Sequence, residues 1–255
     1  MAQESHQPLV SVVIPAYNEA ERIVPGLKQI LEHVARTGLD CEILLVDDGS
    51  RDGTAEVVRR ELGGQVPLEV LRQEPNQGKA AAVRRGMLAG RGRYVGYADA
   101  DMSTPFAEID RCLQALEAGA DIAIGSRAMH DSNIQVHQPW YRQLAGKSFG
   151  AYTRLVLLPG IADSQCGFKF FRREVAQDLF TRQRLAGWAF DAELLYLARR
   201  RGYSVAQIPV RWINDPNTKV NMLRAGPRML LDILRVRALH RGLPTAPGRR
   251  EDRTP

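Results

Sequence analysis

Short apolar runs recur through the first half of the chain, each followed by a polar cluster and then by a stretch of helical period. That rhythm limits the fold more than any single motif does. Residues 9–15 (LVSVVIP), 42–46 (EILLV), 68–72, 94–98 (YVGYA) and 121–125 read as strands. Apolar residues fill consecutive positions in most of them, the pattern of a strand buried on both faces. Between them Ile23, Leu27, Ile30, Leu31 and Val34 recur at helical spacing before Gly38, and residues 55–62 and 79–89 form two further helical stretches. Asn18, with Glu21 three residues on, has capping-box spacing for the first of these helices, and Thr104-Pro105 opens another. The alternation predicts an α/β fold, a mainly parallel Rossmann-like sheet flanked by helices, with ligands bound beyond the carboxyl ends of the strands.

The second half is less regular. Residues 129–138 read as a mobile loop, 147–158 and 190–201 as helices, and 205–212 as a strand. Residues 222–239 place Met222, Met229, Leu230, Ile233, Leu234 and Val236 among Arg224, Arg228, Arg235 and Arg237. Such an Arg-rich amphipathic segment suits a lipid headgroup layer, and it equally suits packing on the domain. Pro227 predicts two shorter helices there. The expected organisation is a flexible N-terminus over 1–8, one domain over 9–221, amphipathic helices over 222–241 and a disordered tail over 242–255.

Composition removes several classes. The three cysteines, Cys41, Cys112 and Cys166, are scattered without a C-x-x-C pair, which argues against a disulfide framework or a zinc site and for a reducing compartment. The opening MAQESHQP has no secretory pattern, and no uncharged apolar run approaches the ~20 residues that span a bilayer. The expectation is a cytoplasmic protein, at most peripheral on the cytoplasmic membrane face. The net charge of +6 suits nucleic acid, anionic lipid or phosphorylated substrates. No aromatic-interleaved basic stripe or reader motif appears, which argues against nucleic acid.

Four polar clusters follow predicted strands. Asp99-Ala100-Asp101 presents two carboxylates one residue apart, hard oxygen donors that suit Mg²⁺ or Mn²⁺ completed by substrate phosphates. So short a pattern also reads as a solvated acidic turn. Asp47-Asp48-Gly49-Ser50 can accept hydrogen bonds from a base or ribose, or can be an Asp/Gly/Ser turn. Tyr17 can stack on a base and Glu19 can take ribose hydroxyls, unless Asn18 and Glu19 serve only to start a helix. Gly78-Lys79 puts a glycine turn and a lysine at a helix start, a favourable place for phosphate.

Taken together, VSVVIPAYNE, VDDGSRDGT, NQGKAAAVRRGM and YADADMSTP resemble the family 2 glycosyltransferases of the GT-A fold. GSRA, DSQCGFKFF and WAFDAELLYLARRRG extend the resemblance over about residues 9–235 and are similar to the dolichyl-phosphate β-glucosyltransferase branch, with polyprenyl-phosphate mannosyltransferases as neighbours. The resemblance implies that Pro15, Tyr17, Glu19, Val46 and Asp48, with Asp47 beside them, bind base and ribose. It implies that Ala98, Asp99 and Asp101 hold the metal and the diphosphate, and that Lys219 reaches the donor phosphates. Arg127 and Arg142 match positions that grip an acceptor phosphate, and Asp191 and Glu193 match a segment that carries a catalytic base in other members.

The implied reaction is inverting single displacement from a nucleotide-sugar donor onto a polyprenyl phosphate. UDP-glucose is the expected donor. GDP-mannose, or a soluble acceptor, is the alternative. A phosphate monoester is already largely anionic near neutral pH, so Arg127 and Arg142 rank above Asp191: positioning against repulsion matters more than a base, and guanidinium holds phosphate bidentately.

Overall fold

The computed structural model describes residues 6–64, 67–129, 131–136, 140–213 and 222–243, with backbone alone for 134–136, 140–142 and 222–225. β1 (Val10–Ala16), β2 (Cys41–Asp47), β3 (Leu68–Arg72) and β4 (Tyr94–Ala98) alternate with α1 (Ile23–Thr37), α2 (Thr54–Leu62) and α3 (Lys79–Ala89). A 3-10 turn at Phe106–Glu108 leads to α4 (Ile109–Glu117), β5 (Ile122–Ser126), β6 (Asn133–Val136) and α5 (Trp140–Val156). Then come β7 (Phe168–Arg172), α6 (Arg173–Arg182), α7 (Phe190–Arg200), β8 (Val205–Pro209), β9 (Arg211–Ile213) and α8 (Met222–Leu239).

Seven strands form one sheet in the order β3-β2-β1-β4-β7-β5-β8, and β6 pairs with β9 in a small second sheet. All neighbours in the large sheet are parallel except β7, which runs antiparallel between β4 and β5. Successive residues of each central strand point to opposite faces, so consecutive apolar residues build two cores. Val13, Leu44, Val46 and Tyr97 pack under α3, α6, α7 and α8, while Val12, Ile14, Ile43 and Leu45 pack under α1, α2 and α4. The expected mainly parallel sheet is present, with helices on both faces.

Local expectations fare unevenly. α1 buries Ile23, Leu27, Ile30 and Leu31 and stops at Gly38, whose left-handed backbone lets its N–H reach the Val34 carbonyl. Asn18 does not cap this helix; Arg22 occupies the cap position. Asn18 instead accepts the Arg51 N–H at 2.9 Å, tying the exit of β1 to the loop after β2. Residues 133–136, expected in a loop, form β6 against β9. The last segment is one helix with Pro227 inside it rather than two. The expected tail lies outside the described residues from 244 onward, as do residues 1–5 of the expected flexible N-terminus.

Candidate active site

The parallel strands β1, β2 and β4 deliver their carboxyl ends to one edge of the sheet, and the polar clusters gather there. Ala16 pairs with Asp47, and the Asp48 N–H donates to the Ala16 carbonyl at 2.8 Å, so the first two clusters are neighbours. At the end of β4 the Asp99 N–H donates to the Gly167 carbonyl at 3.2 Å. A Cβ on Gly167 would lie 2.1 Å from Asp99 Oδ2, so only glycine leaves room for that carboxylate. The Lys79 ammonium, at the first residue of α3, bonds to Asp99 Oδ1. Burial opposes charge on Lys79, but the carboxylates of Asp99, Asp191 and Asp101 together hold its pKa above the usual lysine range. Asp101 is raised above the ordinary carboxylate range by burial and by the nearby Asp99 charge. Two carboxylates that repel one another, with a lysine drawn onto one of them, form a hard-oxygen donor set that fits a divalent cation.

Around β2 the geometry is tighter than a surface turn. Asp48 is buried, and its carboxylate accepts Gln73 Nε2 and the N–H groups of Gln77 and Gly78 at 2.5, 2.8 and 2.7 Å. It thereby shapes the turn before α3, where Gly78 adopts a φ of 89° that L side chains rarely take. Asp47 accepts the Ser50 N–H through Oδ1, while its buried Oδ2 has no hydrogen-bond partner among the described residues. Tyr17 is exposed and Pro15 half-buried; Glu19 is buried and paired with Arg22. The side chains of Val46 and Ala98, expected beside the ligand, lie in the two cores. Alternation along a strand sends them inward, so they act by placing Asp47 and Asp99.

Arg127 follows β5. Its Nε and Nη2 hold both oxygens of the buried Asp163 at 2.7 and 3.0 Å, and its guanidinium carbon lies 5.6 Å from the Trp212 ring centre. Burial works against both charges, yet each stabilises the other: Arg127 is raised and Asp163 is lowered to about 2. The Asp99 charge also acts on Arg127, which links the two halves of the site. Asp191, in the first turn of α7, is 4 % exposed and accepts both the Tyr97 hydroxyl and the Lys169 ammonium. Lys169 is fully buried and also donates to the Cys166 carbonyl at 2.5 Å. Glu193 turns the other way, accepting the N–H groups of Arg184 and Leu185 and bonding to the buried His240. The Arg142 side chain and all of Lys219 lie outside the described residues.

Gly167, Lys169 and Asp163 were not singled out from sequence. Lys169 left a trace, a lone cation inside the apolar run FKFF, which as an internal strand residue must find a buried partner.

The sheet order and the helices on both its faces define the class: an α/β fold of GT-A type. The glucosyl-3-phosphoglycerate synthase of Mycobacterium tuberculosis, solved with Mn²⁺ and UDP-glucose, has the same fold at a TM-score of 0.67 and 20% identity, over 90% of this chain and 79% of that one. Residues 11–180 match the family described as glycosyl transferase family 2. The dolichyl-phosphate β-glucosyltransferase of Dictyostelium discoideum is 32% identical over 89% of this chain and 73% of its own length. That of Drosophila melanogaster is 36% identical over 83% and 69%. The chain belongs to glycosyltransferase family 2, in its dolichyl-phosphate β-glucosyltransferase branch, and is a hexosyltransferase.

Proposed function

We propose that this chain transfers glucose, with inversion, from UDP-glucose to a polyprenyl phosphate of the dolichyl type. The observation that carries the reading is the Asp99–Asp101 pair at the end of β4, with Asp99 bonded to Lys79. Asp99 and Asp101 would hold Mg²⁺ or Mn²⁺. Bound there, the ion supplies Lewis-acid neutralisation of charge on the departing diphosphate.

The chain's own residues do the rest. Tyr17 offers an exposed ring for the base, and the orphaned Asp47 Oδ2 suits a donor from base or ribose, with Pro15, Glu19 and Asp48 shaping that end. Gly78 and Lys79 meet phosphate at the start of α3, with Lys219 assigned to the same diphosphate. Asp163 takes two of the five N–H donors of Arg127 and fixes the guanidinium plane, leaving three for the acceptor phosphate. Arg142, in the first turn of α5, is assigned as its companion. The acceptor phosphate is its own nucleophile, so Asp191 is assigned a fixed charge that sustains Lys79 and Lys169 rather than a base that must reach solvent.

A lipid-linked acceptor implies contact with a membrane surface. No helix among the described residues is long and apolar enough to cross a membrane. α8 does expose Leu230, Leu231 and Leu234 beside Arg235, and the neighbouring α5 exposes Leu155 at 84 %, a surface suited to anionic headgroups.

A panel of radiolabelled nucleotide sugars, each offered with polyprenyl phosphate, tests the reading. Label is expected in the organic phase with UDP-glucose alone, and to vanish with a chelator. Label from GDP-mannose instead overturns the sugar assignment; label from none overturns the reaction.

A further inference from the structure

The segment between α6 and α7 is clamped from several sides. Both oxygens of Glu193 accept its N–H groups, from Arg184 and Leu185, at 2.9 Å each, and His240 at the end of α8 closes on Glu193 Oε1 at 2.6 Å. Gln183 donates to the carbonyls of Ala80 and Leu185. Ala186 meets the turn before α3, its carbonyl 3.8 Å from where a Cβ on Gly78 would stand. Ala189 and Phe190 are fully buried.

Directly before that buried pair, Trp188 leaves its large side chain 40 % exposed. An indole held next to a fully buried pair in a hydrogen-bonded segment is a costly side chain to leave facing water, because its ring is the largest apolar surface a side chain can bury. The ring lies 5.6 Å from Lys79 Nζ, whose other bond is to Asp99. Through Lys79 it stands next to the acid pair, at the start of α3. Phosphate gains nothing from an indole face, which carries negative charge density. The polarised C–H groups of a pyranose, presented as a flat apolar patch, do.

We infer that Trp188 is the platform for the donor's hexose, held at a fixed height by the Glu193–His240 clasp. This rests on the nucleotide-sugar reading above and names the residue that recognises its sugar. The ring packs on the hexose C–H face while Lys79, whose ammonium stands over the ring at 5.6 Å from its centre, is directed to the diphosphate. Nucleotide and sugar are then read by separate surfaces.

Calorimetric titration with UDP and with UDP-glucose, each in the presence of Mn²⁺, separates the two. Trp188→Ala is expected to weaken UDP-glucose about tenfold while UDP changes by less than about twofold, and Trp188→Phe to keep most of the difference. Indole fluorescence is expected to respond to UDP-glucose more than to UDP in the wild type and to lose that difference in Trp188→Phe, which keeps Trp140 and Trp212. Equal weakening of both ligands overturns the platform, as does unchanged binding with only the polyprenyl phosphate KM raised. If the wild type binds neither UDP nor UDP-glucose, the donor reading itself falls and the platform with it.

Discussion

Lys169 lies in the middle of β7 with none of its side chain exposed, and its ammonium is matched by Asp191. A buried ion pair contributes little net stability when intact, because desolvation offsets most of the attraction, but removing one partner strands the other. Lys169→Met is expected to cost about 3–5 kcal/mol in urea unfolding, and adding Asp191→Asn to recover a large part of it. The Arg127–Asp163 pair is read best by pH. Folding depresses Asp163 from 3.8 to about 2, so the unfolded chain takes up its proton first. The stability this lends is complete above about pH 4 and drains away as the pH falls towards 2. Asp163→Asn is expected to cost about 2 kcal/mol at neutral pH and to flatten the acid limb of a stability–pH profile over that interval. It should also raise the KM for acceptor, since the guanidinium loses the carboxylate that orients it.

β7 is the element that turns a parallel sheet into this site. It enters antiparallel between β4 and β5, so its N-terminal end, not its C-terminal end, arrives beside Asp99. The strands come close: a Cβ on Gly96 would lie 2.1 Å from the Phe170 ring. That approach brings Gly167 under the Asp99 carboxylate and Lys169 within reach of Asp191. Gly167→Ala must push Asp99 aside, and a displacement of about 1 Å is enough to cost about 100-fold in rate. The expected outcome is a fall of that order in kcat/KM with little change in Tm, measured by steady-state transfer and a thermal melt. A large loss of Tm would mean that the glycine serves folding instead.

Taken whole, the molecule keeps the proposed chemistry and the proposed membrane face on different elements. The candidate site sits at the carboxyl edge of the sheet, whereas the exposed leucines of α5 and α8 project from helices that pack on each other. α8 nevertheless leads directly into His240, which closes on Glu193 and so reaches the segment that carries Trp188. Leu231→Glu with Leu234→Glu is expected to lower co-sedimentation with anionic vesicles about tenfold, with the Kd for UDP-glucose unchanged. Undiminished vesicle binding would remove the membrane role of this face.

Local pattern was sufficient for β3, β4 and α3, whose ends are set by residues adjacent in the chain: Gly78 and Lys79 start one, and Asp99 closes another. It was sufficient also for the polar clusters, because a parallel sheet puts every strand's carboxyl end at the same edge. It failed where partners are remote. FKFF carries a lysine inside an apolar run, and that lysine is tolerated only because Asp191, 22 positions later, lies next to it in space. The Asp48 carboxylate also accepts three hydrogen bonds from residues 25–30 positions on, partners that no local pattern announces. Periodicity and turn chemistry act between neighbours in the chain, so the amino-acid order alone determined the layers and the edge where the polar clusters gather. Which buried charges meet, and which side chains are left facing the substrate, depends on distances between strands, and those exist only once the sheet has closed.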